Sequence, residues 1–164
     1  PASDFARFPP PILREFSTRV FVRSCVHCSV MNTTDIPPLR ILLVDDSPTF
    51  LDAAMHALAS DPRIEIVGTA FSGQEGVDLV AQEQPDLVLM DVAMPHLNGF
   101  EATRLIKAQP NAPQIVILTS YDLPHYRTAA QTAGADSFIS KADFGTLMLP
   151  LIDSVLAERN SSLA

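Results

Sequence analysis

Arg40-Ile41-Leu42-Leu43-Val44-Asp45-Asp46 opens the ordered part of the sequence. The apolar run Ile41 to Val44 has no polar alternation. That marks a strand covered on both faces, as in a parallel sheet with helices on either side. It stops abruptly on two carboxylates. Ser47-Pro48 follows, an N-cap with proline at the first helical position, and predicts a helix to about Ser60. The pattern then repeats. Strands are predicted at 64–68, 86–91, 114–119 and 136–140. Helices are predicted from the Ser72-Gly73-Gln74-Glu75 capping pattern to about Glu83, after Asn98-Gly99, from Pro124 to Ala133 with Gly134 as terminator, and from a cap at Asp143 to about Arg159. Phe100, Leu105 and Ile106 are expected on one side of the third helix. Pro150 falls inside the last helix, which is expected to start late or kink there.

Five strand–helix units predict an α/β fold, a doubly wound parallel five-stranded sheet with right-handed crossovers. The functional crevice of such a sheet lies beyond the carboxyl ends of its strands, where the strand order switches. Asp45-Asp46 end the first strand, Asp91 the third, Thr119 the fourth (Ser120 follows), and Lys141 stands just past the fifth. Three neighbouring carboxylates repel, and a hard divalent cation with oxygen ligands, such as Mg²⁺, relieves the repulsion. Asp45 and Asp46 are the candidate metal ligands with Asp91, and the backbone carbonyl of Ala93 is a further candidate. An ionised Asp91 is then a nucleophile toward phosphorus. Lys141 and the metal would neutralise charge on phosphoryl oxygens, and Thr119 would donate a hydrogen bond to one. Taken singly, each residue has an ordinary reading: an acidic turn, a helix cap, a loop cap, a solvated lysine. Their occurrence together and in order is what points to chemistry.

Leu42-Leu43-Val44-Asp45-Asp46, Leu89-Met90-Asp91-Val92-Ala93-Met94-Pro95, Leu118-Thr119 and Phe138-Ile139-Ser140-Lys141 together resemble the ordered motifs of response-regulator receiver domains of two-component signalling. The resemblance runs from about Leu39 to Leu156. It implies a flavodoxin-like strand order 2-1-3-4-5 and a single-domain receiver. It further implies phosphorylation of Asp91 by a histidine kinase or phosphotransfer protein, and Mg²⁺ on the acidic pair. Thr119 and Lys141 would read the phosphoryl group, and Phe138 would be the switch aromatic. The implied output is a protein-binding surface near the fourth helix, fifth strand and fifth helix, for a downstream protein that the sequence does not name. Such a chain is a signalling switch rather than an enzyme. Two departures from the family pattern stand out: Ala142 replaces the proline that commonly follows the lysine, and Phe138 lacks a tyrosine hydroxyl. The rival readings are an unphosphorylated interaction module, a metal-dependent phosphatase and a flavin-binding domain. The last lacks a Ser/Thr-rich phosphate loop after the first strand.

Composition narrows the rest. Of 164 residues 47% are hydrophobic, enough for a real core, and no apolar run reaches the length of a membrane helix. The net charge of −8 argues against a nucleic-acid surface. Residues 1–38 hold four arginines against three acids and 6 of the 14 prolines, whereas the remainder has seven basic and sixteen acidic residues. The boundary therefore falls near Pro37-Pro38. Residues 1–38 are read as a disordered extension, with Met31 a candidate natural start, 39–160 as the receiver domain and 161–164 as a tail. Cys25-Val26-His27-Cys28 has knuckle-like spacing but no second pair, and is read as incidental. The remaining chain has no cysteine, which fits the cytoplasm.

Overall fold

The chain alternates strand and helix as its pattern demands. In the computed structural model, which describes residues 37–121 and 123–163, the elements run β1 (Leu39–Val44), α1 (Pro48–Leu58), β2 (Ile64–Ala70), α2 (Gly73–Glu83), β3 (Leu87–Asp91), α3 (Gly99–Lys107), β4 (Gln114–Thr119), α4 (Pro124–Ala133), β5 (Ser137–Ser140) and α5 (Phe144–Leu163). One turn of 3₁₀ helix, Lys141–Asp143, joins the last two. The strands form one parallel sheet in the order β2-β1-β3-β4-β5. The order reverses between β1 and β3, which places the switch point at Asp45-Asp46 and Asp91. The disordered extension, the Met31 start and the Cys25–Cys28 reading lie outside the described residues, Pro37 and Pro38 excepted.

Every residue of β3 is buried, and so are five of the six in β1, which is why these strands read as unbroken apolar runs. Alternate side chains serve the two faces. Leu39, Ile41, Leu43, Leu87, Leu89, Val116, Leu118 and Ile139 join one cluster with Leu51, Ala54 and Leu58 of α1 and Phe144, Met148, Ile152 and Leu156 of α5. The opposite face is covered by α2, α3 and α4, through Val80, Ala102, Ile106, Ala130 and Ala133.

Caps fix where the helices begin. The Ser47 hydroxyl accepts from the Phe50 N–H, with Pro48 in the first turn. The Ser72 hydroxyl accepts from the Glu75 N–H at 3.3 Å, but the Glu75 carboxylate reaches past its cap to the Phe71 N–H at 2.7 Å. The reciprocal capping box is instead on α3. There Asn98 Oδ1 accepts from the Glu101 N–H at 3.0 Å, and Glu101 Oε2 accepts from the Asn98 N–H at 3.3 Å. Gly134, at φ 92°, closes α4 in the left-handed region as expected.

Four expectations are corrected. β2 runs on to Ala70, beyond the predicted end at Gly68. Asp143 does not cap α5; it lies within the 3₁₀ turn, whose cap is the Ser140 hydroxyl accepting from the Ala142 N–H at 3.3 Å. Leu105 is 48% exposed, because α3 buries the stripe of Gly99, Ala102, Thr103 and Ile106 and Leu105 lies off it. α5 passes through Pro150 as one helix and continues to Leu163, into the residues read as a tail. Pro150 is exposed, so the Thr146 carbonyl that would have taken its N–H faces the solvent side, where water can serve it.

Candidate functional site

Two loops and a turn bring the sequence-predicted residues together. Asp45, directly after β1, is 1% exposed, and its N–H donates to Ala70 O at 3.0 Å. Its Oδ1 accepts from the Ser47 N–H at 2.9 Å. Its Oδ2 has no aligned hydrogen-bond donor, although the Lys141 ammonium lies 2.5 Å away as an ion-pair partner. Asp91, the last residue of β3, is 2% exposed; Oδ2 accepts from the Ala93 N–H at 2.9 Å, and Oδ1 is 2.8 Å from Lys141 Nζ. Asp46 is exposed, and one carboxylate oxygen from each of Asp45, Asp46 and Asp91 lies within 4.8 Å of the others. These three residues are the one such acidic group among the described residues.

The β3–α3 loop is held tightly against the strand. Val92 donates to Leu118 O at 3.2 Å, and the N–H groups of Met94 and Gly99 both donate to Val92 O at 3.1 Å. Gly99 leaves no room for a side chain, because a Cβ there would sit 1.9 Å from the Asp91 carbonyl oxygen. That close approach starts α3 beside the Asp91 backbone.

Charge follows from burial. Desolvation raises the Asp91 carboxyl above its ordinary value, with the Asp45 charge adding to it, against the lowering pull of Lys141 and the Ala93 N–H. Burial would lower Lys141, but Asp45 and Asp91 together overcome it and hold the ammonium raised and charged. Three carboxylates against one ammonium leave the cluster at a formal −2, with Asp45 Oδ2 buried and lacking an aligned donor. An all-oxygen set with excess negative charge suits a hard divalent cation. The cluster opens on a cavity of about 500 Å³, lined by Asp46, Ser47, Phe50, Asp91, Ala93, Ser120, Tyr121 and Lys141.

Thr119 is at the predicted strand end and 2% exposed, but its hydroxyl is engaged with its own loop. It donates to Tyr121 O at 3.2 Å and accepts from the Tyr121 N–H at 3.1 Å. Phe138 is 8% exposed, with the Arg127 guanidinium 5.0 Å from its ring centroid. Sequence reasoning passed over Phe50, whose ring centroid is 4.5 Å from Lys141 Nζ. In sequence it looked like one more apolar residue of α1.

A parallel five-stranded sheet with an acidic cluster at its switch point is the arrangement expected of a receiver domain, and comparison with known proteins agrees. The response regulator receiver domain family matches residues 41–149, and the chain belongs to that family. Protein PilH of Pseudomonas aeruginosa is 38% identical over 122 residues, covering 72% of this chain and 98% of PilH. A protein-glutamate methylesterase/protein-glutamine glutaminase of Nocardioides sp. is 34% identical over 140 residues, 76% of this chain but 37% of the enzyme. The response regulator domain of Thermotoga maritima CheB superposes with a TM-score of 0.67 at 26% identity, covering 73% of this chain and 97% of that domain. The chain spans between 24% and 50% of the length of six further curated relatives. It is a response regulator receiver domain of two-component signalling. Among the described residues no helix is long and apolar enough to cross a membrane.

Proposed function

We propose that Asp91 is the phosphoacceptor. A carboxylate oxygen of Asp91 attacks the phosphorus of a phosphohistidine on a histidine kinase or phosphotransfer protein. The O–P bond forms, the P–N bond breaks, and the imidazole leaves with the electron pair and takes up a proton. Asp45, Asp46 and Asp91 would hold Mg²⁺, with the Ala93 carbonyl as a further ligand; the ion supplies charge neutralisation on the phosphoryl oxygens. Lys141 places a fixed positive charge beside the same oxygens. The observation that carries this reading is the Asp91 carboxylate, held at 2.8 Å by the Lys141 ammonium and grouped with two further carboxylates beside an open cavity.

Readout follows from Thr119 and Phe138. The Thr119 hydroxyl has one proton, and giving it to a phosphoryl oxygen takes it from the Tyr121 carbonyl. That frees the β4–α4 loop and biases the surface of α4, β5 and α5, where a downstream protein binds. Phe138, without a hydroxyl, responds through packing alone. The chain acts in the cytoplasm, either through protein contacts of its own, as a relay step, or as the receiver portion of a longer regulator.

Incubation with acetyl phosphate and Mg²⁺, followed by intact mass spectrometry, tests the reading. One phosphoryl adduct is expected on wild type, lost on chelation of the metal and absent in Asp91→Asn. An unmodified wild type would favour a receiver-like interaction module that is never phosphorylated. Sustained hydrolysis of a phosphate monoester that survives Asp91→Asn would favour a phosphatase.

A further inference from the structure

The site has an aromatic wall. Phe50 lies on the first turn of α1, half-buried and lining the cavity beside Asp91 and Lys141. Its ring face is 4.5 Å from the Lys141 ammonium, within cation–π range. The same ring meets Phe144, the buried first residue of α5, edge-on at a centroid distance of 5.5 Å and 78° between planes. Phe50 therefore touches the turn that carries Lys141 at both ends, at the ammonium itself and at the aromatic that anchors the helix beyond Asp143. The turn's own backbone bonds are few. Ala142 and Asp143 are exposed, its cap is one 3.3 Å bond from the Ala142 N–H to the Ser140 hydroxyl, and the Phe144 N–H donates to the Lys141 carbonyl. A four-carbon lysine stem loses much rotamer freedom when its head is fixed. Two carboxylates and one ring share that task here.

We propose that Phe50 is a positioning residue for phosphoryl transfer, holding the Lys141 ammonium on the Asp91 side of the cavity through its ring face and steadying the lysine's turn through Phe144. The proposal rests on the reading of Asp91 as phosphoacceptor and assigns no chemical step to Phe50. With an aliphatic side chain the ammonium loses its aromatic partner and gains water. Its charge is then less well placed when negative charge develops on the transferring group.

The test is the rate of phosphorylation by acetyl phosphate at saturating Mg²⁺, measured per folded molecule. Phe50→Leu is expected to slow it by about three- to tenfold, the range a partly desolvated cation–π contact supports. Phe50→Tyr, which keeps the ring face, should stay near wild type. Phe50→Met replaces the leucine variant if that one melts early. Loss of packing alone would also slow a leucine variant, so the same change is made in a Lys141→Ala background. If Phe50 acts through the lysine, it should add little further slowing there. Wild-type rates in Phe50→Leu, equal slowing in Phe50→Tyr, or full slowing retained without the lysine would each overturn the proposal. Asp91→Asn in parallel reports separately on the phosphoacceptor: an adduct that persists there sinks the underlying reading, whatever Phe50 does.

Discussion

Replacing Asp91 by asparagine should stabilise the metal-free protein although it removes an ion-pair partner of Lys141. The neighbouring carboxylates lie within 4.8 Å, which at an effective dielectric of about 20 gives about 3.5 kcal/mol of repulsion per pair. Asp46 is exposed, so water screens a good part of its share, and the two repulsions sum to about 5 kcal/mol. Against them stands the attraction of Lys141 at 2.8 Å, about 6 kcal/mol on the same scale. The charge terms nearly cancel, so desolvation of the buried carboxylate decides the sign, and it is the largest influence raising the Asp91 carboxyl. A net gain of about 1–2 kcal/mol is expected from removing the charge. For a domain of this size each kcal/mol corresponds to about 3–5 °C in melting temperature.

The pH dependence follows. Because the folded Asp91 carboxyl titrates above the ordinary 3.8, the folded state binds more protons than the unfolded chain between that value and its own. Wild-type stability then falls as pH rises through this window, and Asp91→Asn removes that part of the slope. Melting curves in chelator and in millimolar Mg²⁺, at pH 5 and pH 7.5, test all of this. With Mg²⁺ the order reverses, because wild type gains a ligand that asparagine lacks. An Asp91→Asn protein less stable than wild type in chelator at neutral pH would refute the electrostatic argument.

Other perturbations read the scaffold. Gly99→Ala forces a methyl against the Asp91 carbonyl, 1.9 Å from where its Cβ would lie; a loss of about 3–5 kcal/mol by urea unfolding is expected, and a loss under 1 would show that the loop yields. Asn98→Ala breaks the α3 capping box and should cost about 1 kcal/mol, seen as a lower urea midpoint at an unchanged m-value. Pro150→Ala restores a helical N–H at an exposed position of α5, and a gain of about 1–2 kcal/mol, seen as a higher melting temperature, is expected. A drop would show that α5 requires the proline.

The sequence carried the sheet and the site because both depend on one-dimensional signals. A strand covered on two faces must be apolar throughout, and Ile41–Val44 and Leu87–Met90 are. Strand ends at the switch point face a crevice, so Asp45, Asp46 and Asp91 could be grouped before any coordinates. Side-chain direction left no such trace. The spacing of Thr119 and Tyr121 does not say that the hydroxyl would fold back onto its own loop. The Ser72 pattern did not close into a reciprocal box because the Glu75 carboxylate reaches the residue before its cap, whereas Glu101 reaches back to its own cap at Asn98. Leu105 looked like core because its neighbour Ile106 is; a step of 100° around α3 separates them. Phe50 joined the site through an approach between α1 and the turn after β5, a tertiary contact with no local signature.

The engagement of Thr119 with Tyr121 bears on how digital this switch can be. The hydroxyl holds two neutral hydrogen bonds there, one donated to the Tyr121 carbonyl and one accepted from the Tyr121 N–H, each worth only about 1 kcal/mol net, and under the proposed readout both are surrendered when it swings inward. An equilibrium held by so slight a tether is leaky. On about 2 kcal/mol alone the resting ensemble would visit the alternative arrangement in roughly one molecule in thirty, so the proposed readout carries a small background output before any signal arrives.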